Sequence, residues 1–194
     1  MRKAVFIDKD GTLVENVPYN VDPARVALTR GAAGACRTLA RQGYRLFVVS
    51  NQPGIALGKF ASADLAAVFA ELELQVPSID GFYFCPHGPE DRCECRKPAC
   101  GMLRRAAREH GIDLGRSWMV GDILDDVEAG RRACCRTVLV DNGNETEWRE
   151  GPLRAPDHVV SNLLEAASVI VNAEKQTPRS PAAHAPLHRG ARQR

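Results

Sequence analysis

The amino-acid sequence predicts an α/β fold, a Rossmann-like parallel sheet with helices on both faces and no large cap domain. Short apolar runs alternate with segments rich in helix-forming residues, which is the pattern of strand–helix–strand units. The apolar runs are nearly continuous, as in strands that are buried on both faces. Right-handed crossovers between parallel strands then place helices on both sides of the sheet.

The apolar runs predict five strands, and the segments between and after them predict five helices. The strands are expected at residues 3–8, 44–50, 81–85, 117–122 and 136–141. Several helical segments open with Ser or Pro or close with Gly, as helix ends do. The helices are expected at residues 31–43, 62–76, 98–111, 125–135 and 161–173.

The charge distribution separates a domain from a basic tail. Residues 174–194 hold five Lys or Arg and one acidic residue, which gives this segment a charge of +4. The whole chain carries +2, so residues 1–173 carry −2 and show no basic signature of nucleic-acid binding. The tail is rich in Pro and Arg and lacks periodicity. We therefore predict one domain over 1–173 and a disordered tail over 174–194.

The composition indicates a globular protein with no membrane partner. The chain is 44% hydrophobic and 26% charged, and no apolar run approaches the roughly 18 residues of a membrane span. The apolar stretch near the N-terminus is interrupted at Asp8 and is too short for a signal peptide. We expect a cytoplasmic monomer.

Three carboxylates lie at predicted strand ends, where open parallel sheets bind ligands. Asp8 ends the first strand, and Asp10 follows where the chain turns through Gly11. Two close carboxylates repel unless one is protonated or a cation joins them. Mg²⁺ suits this position because it prefers oxygen ligands, and Asp122 supplies a third carboxylate. The alternatives are a polar turn for the pair and a helix cap for Asp122.

Such carboxylates could cleave a phosphate ester. One ionised Asp could attack phosphorus and form an aspartyl phosphate, while the other protonates the leaving oxygen and later deprotonates water. The charged phosphoryl oxygens need cations and hydrogen-bond donors around them, for which Ser50 and Lys97 are candidates. Taken singly, a serine at a strand end is ordinary turn chemistry, and a lone lysine is usually solvated.

The position of Lys97 gives a further indication of phosphate. Pro98 is predicted as the first residue of a helix, where proline is tolerated. Arg96 and Lys97 would then lie at the positive end of the helix dipole, which is unfavourable unless an anion binds there.

Three cysteines and a histidine fall within eleven positions, from 85 to 95. Cys85, His87, Cys93 and Cys95 form a Cys₃His set, which is common in structural zinc sites. A reducing compartment favours metal ligands over disulfides. Zinc would fold a loop that has little apolar material of its own. A redox pair and a chance cluster are the alternatives. The remaining cysteines, at 36, 100, 134 and 135, are interpreted as ordinary small or buried residues.

Four segments in order resemble the haloacid dehalogenase superfamily: FIDKDGT, VVSNQPGIALGKF, CPH…CECRKP and MVGDILDD. Over residues 1 to about 173 the chain is similar to the branch that contains heptose bisphosphate phosphatases and histidinol-phosphate phosphatases. The SNQPGIALGKF stretch favours the former. The resemblance implies a magnesium-dependent phosphatase that removes the 7-phosphate of D-glycero-D-manno-heptose 1,7-bisphosphate, in the synthesis of nucleotide-activated heptose.

The resemblance also implies roles for individual residues. Asp8 would be the nucleophile and Asp10 the general acid and base, with Ser50 and Lys97 stabilising the phosphoryl group. Asp8, the backbone carbonyl of Asp10, and Asp122 would bind Mg²⁺, and the Cys₃His set would bind Zn²⁺. Contacts with a small phosphorylated sugar are implied for Asn16, Val17, Pro18, Tyr19, Asn51, Gln52, Pro53 and Arg96.

Two departures from the family pattern leave the substrate open. Leu57 stands where the heptose enzymes often carry Arg, and the apolar Ile123 follows Asp122 where many relatives have a polar residue. Histidinol phosphate or another small phosphate ester is therefore an alternative substrate. Phosphoryl transfer to a second sugar is another alternative, as is a non-catalytic zinc-containing phosphosugar-binding protein.

Overall fold

The computed structural model describes residues 1–176 of the chain. Their core is one sheet of six parallel strands in the order β3-β2-β1-β4-β5-β6. The strands are β1 (Lys3–Ile7), β2 (Tyr44–Asn51), β3 (Gly81–Cys85), β4 (Trp118–Gly121), β5 (Arg136–Val140) and β6 (His158–Val160). The helices are α1 (Ala32–Arg41), α2 (Leu65–Gln75), α3 (Gly101–His110), α4 (Leu124–Arg132) and α5 (Leu163–Gln176).

The strand order creates the crevice that holds the candidate site. β1 pairs with β2 on one side and with β4 on the other, so the chain order reverses at β1. Helices leave the sheet in opposite directions at such a point, and a crevice opens beyond the carboxyl ends of the strands. Asp8 follows β1 there, and its N–H donates to the carbonyl of Val120 in β4 at 2.9 Å.

Alternate side chains of the strands build two apolar layers. Val5 and Ile7 of β1 lie in the layer that includes α1, α2 and α5. Phe6 points to the opposite layer, which includes α3, and stacks on Phe47 with ring centroids 5.8 Å apart. On that face α4 comes close to the sheet, since a Cβ on Gly130 would lie 2.7 Å from Met119. The core therefore covers both faces, as the unbroken apolar strands predict.

The predicted parallel sheet is confirmed, with one added strand at its edge. β6 was not predicted, because it spans only three residues and none of them is fully buried. Three residues are too few to show the periodic hydrophobic pattern of a strand. α5 ends at Gln176, beyond the predicted helix end at 173. The tail predicted over 174–194 lies outside the described residues from 177 onwards.

The predicted start of α3 was wrong, and so was the dipole argument based on it. The helix begins at Gly101, because the preceding residues form a turn in which Ala99 N–H donates to Arg96 at 2.7 Å. Gly101 N–H then donates to the carbonyl of Glu94 at 2.9 Å, and a Cβ on Gly101 would lie 2.3 Å from that oxygen. Arg96 and Lys97 therefore do not lie at the N-terminus of α3.

No helix within residues 1–176 is both long and apolar enough to cross a membrane.

Candidate active site

Lys97 lies at the centre of the crevice, between two buried carboxylates. Its Nζ forms an ion pair with Asp8 and a second one with Asp126 Oδ1 at 2.6 Å. It also donates to the carbonyl of Val49, at 3.1 Å. Lys97 is 1% exposed and Asp126 is fully buried. The predicted stabilising cation is thus not a solvated side chain but part of a desolvated charge cluster.

The pKa values in this cluster reflect burial opposed by charge. Burial raises the pKa of Asp8 to about 7, although Lys97 acts to lower it, and Asp126 and Asp10 raise it further. Burial also raises the pKa of Asp126, again against the effect of Lys97. For Lys97, burial acts to lower the pKa, but the carboxylates of Asp126 and Asp8 raise it above its usual range.

Asn51 fixes the backbone of Lys97. Its amide accepts a hydrogen bond from Lys97 N–H at 3.0 Å and donates to the Lys97 carbonyl at 3.1 Å. Since both ends of the amide contact this one backbone segment, the Asn51 side chain connects the end of β2 to the residue that pairs with Asp8. The sequence assigned Asn51 to substrate contacts by resemblance, whereas in the structure its amide contacts the backbone of Lys97.

Asp122 is held from two sides. Thr12 Oγ1 donates to its Oδ1 at 3.1 Å, and Asn144 Nδ2 donates to its Oδ2 at 2.7 Å. Burial and the nearby charge of Asp8 raise the pKa of Asp122 to about 6, while the two hydrogen bonds act to lower it. Gly11 permits this approach, because it has φ +89° and a Cβ there would lie 2.2 Å from Asp122 Oδ2.

Asp10 faces the same crevice with its own partners. Gln52 Nε2 donates to Asp10 Oδ2 at 3.0 Å and to Ser50 Oγ at 2.8 Å. Ser50 Oγ lies 3.5 Å from the same Asp10 oxygen. Lys9, which is 2% exposed, forms an ion pair with the other carboxylate oxygen of Asp10. The predicted catalytic residues therefore form two contacting groups, Asp8 with Lys97 and Asp10 with Ser50, and the two groups are close enough for the charge of Asp10 to act on Asp8.

The residues assigned to sugar contacts by resemblance differ in exposure, and Gln52 is the buried one. Asn16, Pro18 and Tyr19 are exposed, while Val17, Pro53 and Arg96 are half-buried. Tyr19 has φ +55°, an uncommon left-handed conformation. Tyr19 and Phe60 both pack against Gly54, where a Cβ would lie 2.8 Å from one ring and 2.3 Å from the other. Two aromatic rings, of Tyr19 and Phe60, thus converge over Gly54, and this pair of rings is called the rim.

The carboxylates fit a divalent metal. Oxygens of Asp8, Asp122 and Asp126 lie within 4.8 Å of one another, and all three residues are buried. Buried carboxylates this close are stabilised by a cation, and oxygen donors suit Mg²⁺. Asp126 is the member that sequence reasoning did not include among the metal or catalytic residues. The spacing Asp122-x-x-x-Asp126 could have indicated it, because it places Asp126 in the first turn of the helix that begins just after Asp122.

The Cys₃His set also converges. One ligand atom from each of Cys85, His87, Cys93 and Cys95 lies within 4.8 Å of the others. The Sγ atoms of Cys85 and Cys95 are 3.1 Å apart, and His87 Nδ1 lies 3.3 Å from the Sγ of Cys95. Burial opposes ionisation of Cys93, but the N–H of Arg96 and the neighbouring thiols lower its pKa to about 7. Four sulfur and nitrogen donors around one point fit tetrahedral Zn²⁺.

Comparison with known proteins agrees with this geometry. A model of the HAD-hydrolase-like family matches residues 94–166. The chain is 33% identical to a D-glycero-β-D-manno-heptose-1,7-bisphosphate 7-phosphatase from Pseudomonas aeruginosa, over 88% of this chain and 98% of the relative. It is 35% identical to the enzyme of the same name from Haemophilus influenzae, over 90% of this chain and 100% of the relative. The chain belongs to the HAD-like hydrolase family.

A solved structure of a HAD-like hydrolase extends the agreement to three dimensions. A D,D-heptose 1,7-bisphosphate phosphatase from B. bronchiseptica, complexed with magnesium and phosphate, is 31% identical and superposes with a TM-score of 0.78. The match covers 88% of this chain and 99% of that one. Since 99% of that chain is matched, this chain contains almost the whole of its fold.

Proposed function

We propose that the chain is a magnesium-dependent phosphatase that removes the 7-phosphate of D-glycero-β-D-manno-heptose 1,7-bisphosphate. The relatives that carry this name align over nearly the whole chain. The observation that carries the proposal is the buried set of Asp8, Lys97 and Asp126, with Asp122 beside it. The carboxylates are suitable ligands for a metal ion, and the lysine can stabilise the negative charge of a phosphate ester.

Asp8 is the proposed nucleophile. Its oxygen attacks phosphorus in line, so that a P–O bond to Asp8 forms while the P–O bond to the C7 oxygen breaks. The product of this step is an aspartyl phosphate. Lys97 favours the ionised form of Asp8 in its buried site, because its charge opposes the effect of burial, which raises the pKa of Asp8. It also offers a positive charge to the phosphoryl oxygens, together with the hydroxyl of Ser50.

Asp10 is the proposed general acid and base. It donates a proton to the departing C7 oxygen and then takes a proton from the water that hydrolyses the aspartyl phosphate. Gln52 and Lys9 hold its two carboxylate oxygens, which orients the proton-transferring group relative to Asp8. Mg²⁺, when bound by Asp8, the carbonyl of Asp10, and Asp122, neutralises the charge on the substrate phosphate.

The Cys₃His set is proposed to hold a structural Zn²⁺. The loop ends at Cys95, and Arg96 and Lys97 follow at once. Arg96 N–H donates to Cys93 Sγ at 3.3 Å, so the metal ligands and the phosphate-facing residues share one backbone segment. Zinc would therefore fix the entry of Lys97 into the crevice without taking part in bond cleavage.

The sugar is proposed to lie at the rim. Substrate contacts are proposed for Asn16 to Tyr19, Asn51 to Pro53 and Arg96; Asn16, Pro18 and Tyr19 are exposed, and the ring of Tyr19 lies beside that of Phe60. We further propose that the enzyme is a cytoplasmic monomer. The seven cysteines are unpaired, as in a reducing compartment, and one chain supplies the whole charge cluster.

Phosphate release from a substrate panel tests the proposal. Purified protein is assayed with the β and α anomers of the heptose bisphosphate and with histidinol phosphate, with Mg²⁺ and with excess EDTA. We expect the largest kcat/KM for the β anomer and loss of turnover in EDTA. Turnover of histidinol phosphate but of neither heptose anomer would replace the proposed substrate. Undiminished turnover in EDTA would overturn the role of Mg²⁺.

A further inference from the structure

Asp122 is held by a loop that no part of the proposed chemistry uses. The loop follows β5 and carries two asparagines, Asn142 and Asn144. We propose that these asparagines are positioning residues for magnesium: Asn144 orients the carboxylate of Asp122, and Asn142 fixes the turn at Gly11. This inference rests on the magnesium site of the proposed function.

The carboxylate of Asp122 is restrained by two hydrogen bonds. Its two oxygens accept hydrogen bonds from different loops, since Thr12 follows β1 and Asn144 follows β5. A single donor would leave the carboxylate free to rotate about the bond to its Cβ. Two donors, one on each oxygen, restrict this rotation and hold the carboxylate where an oxygen of Asp122 lies within 4.8 Å of one of Asp8. Hydrogen bonds of this kind orient metal-binding carboxylates.

The same loop is also connected to the turn that follows β1. Asn142 Nδ2 donates to the carbonyl of Gly11 at 2.7 Å, across 131 positions of sequence. Its Oδ1 accepts from Asn144 N–H at 3.2 Å. The two side chains therefore form one unit that contacts both the turn after Asp10 and the carboxylate of Asp122. The fit is close, because a Cβ on Gly11 would lie 2.4 Å from Asn144 Nδ2.

The loop that carries the two asparagines is itself held by contacts with α4. Glu145 Oε2 accepts from Leu124 N–H at 2.7 Å, which ties the loop to the first turn of α4. Further along, Arg154 forms an ion pair with Asp125 of the same helix. Because α4 follows directly after Asp122, both ends of the Asn144–Asp122 hydrogen bond are fixed to the same helix.

The proposal predicts a change in magnesium affinity rather than in fold. Asn144 is exposed, so Asn144→Ala removes one hydrogen bond without opening the core. Loss of an outer hydrogen-bond partner of a ligand typically weakens metal binding by about 10- to 100-fold. Asn142→Ala should weaken binding by less, because the Asn144–Asp122 bond remains. Asn172→Ala, an exposed asparagine on α5, makes the same chemical change elsewhere and is the matched control.

Isothermal titration of metal-free protein with MgCl₂ measures this effect. We expect the Mg²⁺ Kd to rise about 10- to 100-fold in Asn144→Ala and to be unchanged in Asn172→Ala. Saturating Mg²⁺ should restore most of the kcat of Asn144→Ala, since the acid, base and nucleophile are intact. Thermal unfolding of the metal-free variants should match the wild type.

The possible results distinguish a failure of the positioning role from a failure of the magnesium site itself. If the wild type binds Mg²⁺ and Asn144→Ala binds it equally well, the positioning role is overturned and the proposed function stands. If Asn172→Ala weakens binding as much as Asn144→Ala, the effect is nonspecific and the positioning role is also overturned. If the wild type binds no Mg²⁺, the magnesium site of the proposed function falls, and the positioning role with it.

Discussion

Lys97 and Asp8 form a buried ion pair although they are 89 positions apart in the sequence. Lys97 also pairs with Asp126, so one cation offsets two carboxylates that are largely removed from water. Buried charges persist only when they are paired, and removing one partner leaves the other uncompensated. Much of the expected behaviour of this protein follows from this arrangement.

The first prediction concerns the stability that Lys97 provides. Lys97→Met leaves Asp8 and Asp126 buried without a cation, and we expect the free energy of unfolding at neutral pH to fall by about 3–5 kcal/mol. Urea unfolding of metal-free protein measures it. Lys59→Met removes an exposed lysine and should change stability by less than about 0.5 kcal/mol. Equal stability of the two variants would show that Lys97 is not needed to balance the carboxylates.

The second prediction concerns the nucleophile. Asp8→Asn should lower kcat by more than about 10³-fold, because an amide neither attacks phosphorus readily nor binds Mg²⁺ as a carboxylate does. Steady-state phosphate release measures the loss, and circular dichroism checks the fold. Asp22→Asn is the control, since Asp22 is exposed and asparagine also caps the turn it begins. Near-normal turnover in Asp8→Asn would rule out the covalent route.

The third prediction concerns pH and magnesium. Burial raises the pKa of Asp8 to about 7 and that of Asp122 to about 6. A raised pKa in the folded state favours the protonated form, so the metal-free protein should lose stability as pH rises from about 4 to about 7. Mg²⁺ binds the ionised carboxylates and competes with these protons. The stabilisation of the folded protein by Mg²⁺ should therefore increase as the pH rises through the same range.

Thermal unfolding with and without MgCl₂ tests this pH dependence. The rise in Tm on adding Mg²⁺ should be larger at about pH 7.5 than at about pH 5. In Asp122→Asn, the rise in Tm on adding Mg²⁺ should be small at both pH values, because one ionisable ligand has been removed. A Mg²⁺-induced rise that is the same at both pH values would contradict the assignment of these carboxylates as ligands.

The fourth prediction concerns zinc. Metal analysis of protein purified without chelator should find about one zinc per chain. Cys93→Ser should lose the metal and lower the Tm, while kcat per folded molecule changes little. Cys134→Ser is the matched control, because Cys134 is exposed and lies outside the Cys₃His set. Zinc-free wild-type protein, or an equal fall in Tm for both variants, would contradict a structural zinc site.

The fifth prediction concerns the rim. A Cβ on Gly54 would lie 2.3 Å from the ring of Phe60 and 2.8 Å from the ring of Tyr19, so Gly54→Ala must displace at least one ring. We expect KM for the sugar phosphate to rise several-fold while the Mg²⁺ Kd is unchanged. Gly34→Ala in α1 has room for its methyl group and should leave KM unaltered. If Gly54→Ala keeps the wild-type KM, the aromatic rim does not bind the sugar.

Local patterns were sufficient to predict the sheet and to select most of the residues that the candidate site brings together. The five longer strands produce continuous apolar runs, and Asp8, Asp10 and Asp122 lie where those runs end. The zinc set is close in sequence, so its spacing alone predicts that its donors meet. The start of α3 was misplaced because Pro98 favours a helix start locally, whereas the contact between Gly101 and Glu94 comes from the folded Cys loop.

The sequence by itself determined the parallel sheet, the acidic strand ends and the Cys₃His set, because each depends on spacing within one segment. Only the tertiary structure decided that Lys97 is buried between Asp8 and Asp126, and that Asn144 holds Asp122. Those relationships depend on desolvation and on which strands become neighbours. A local pattern contains neither, since burial and pairing arise only when segments far apart in sequence pack on the same edge of the sheet.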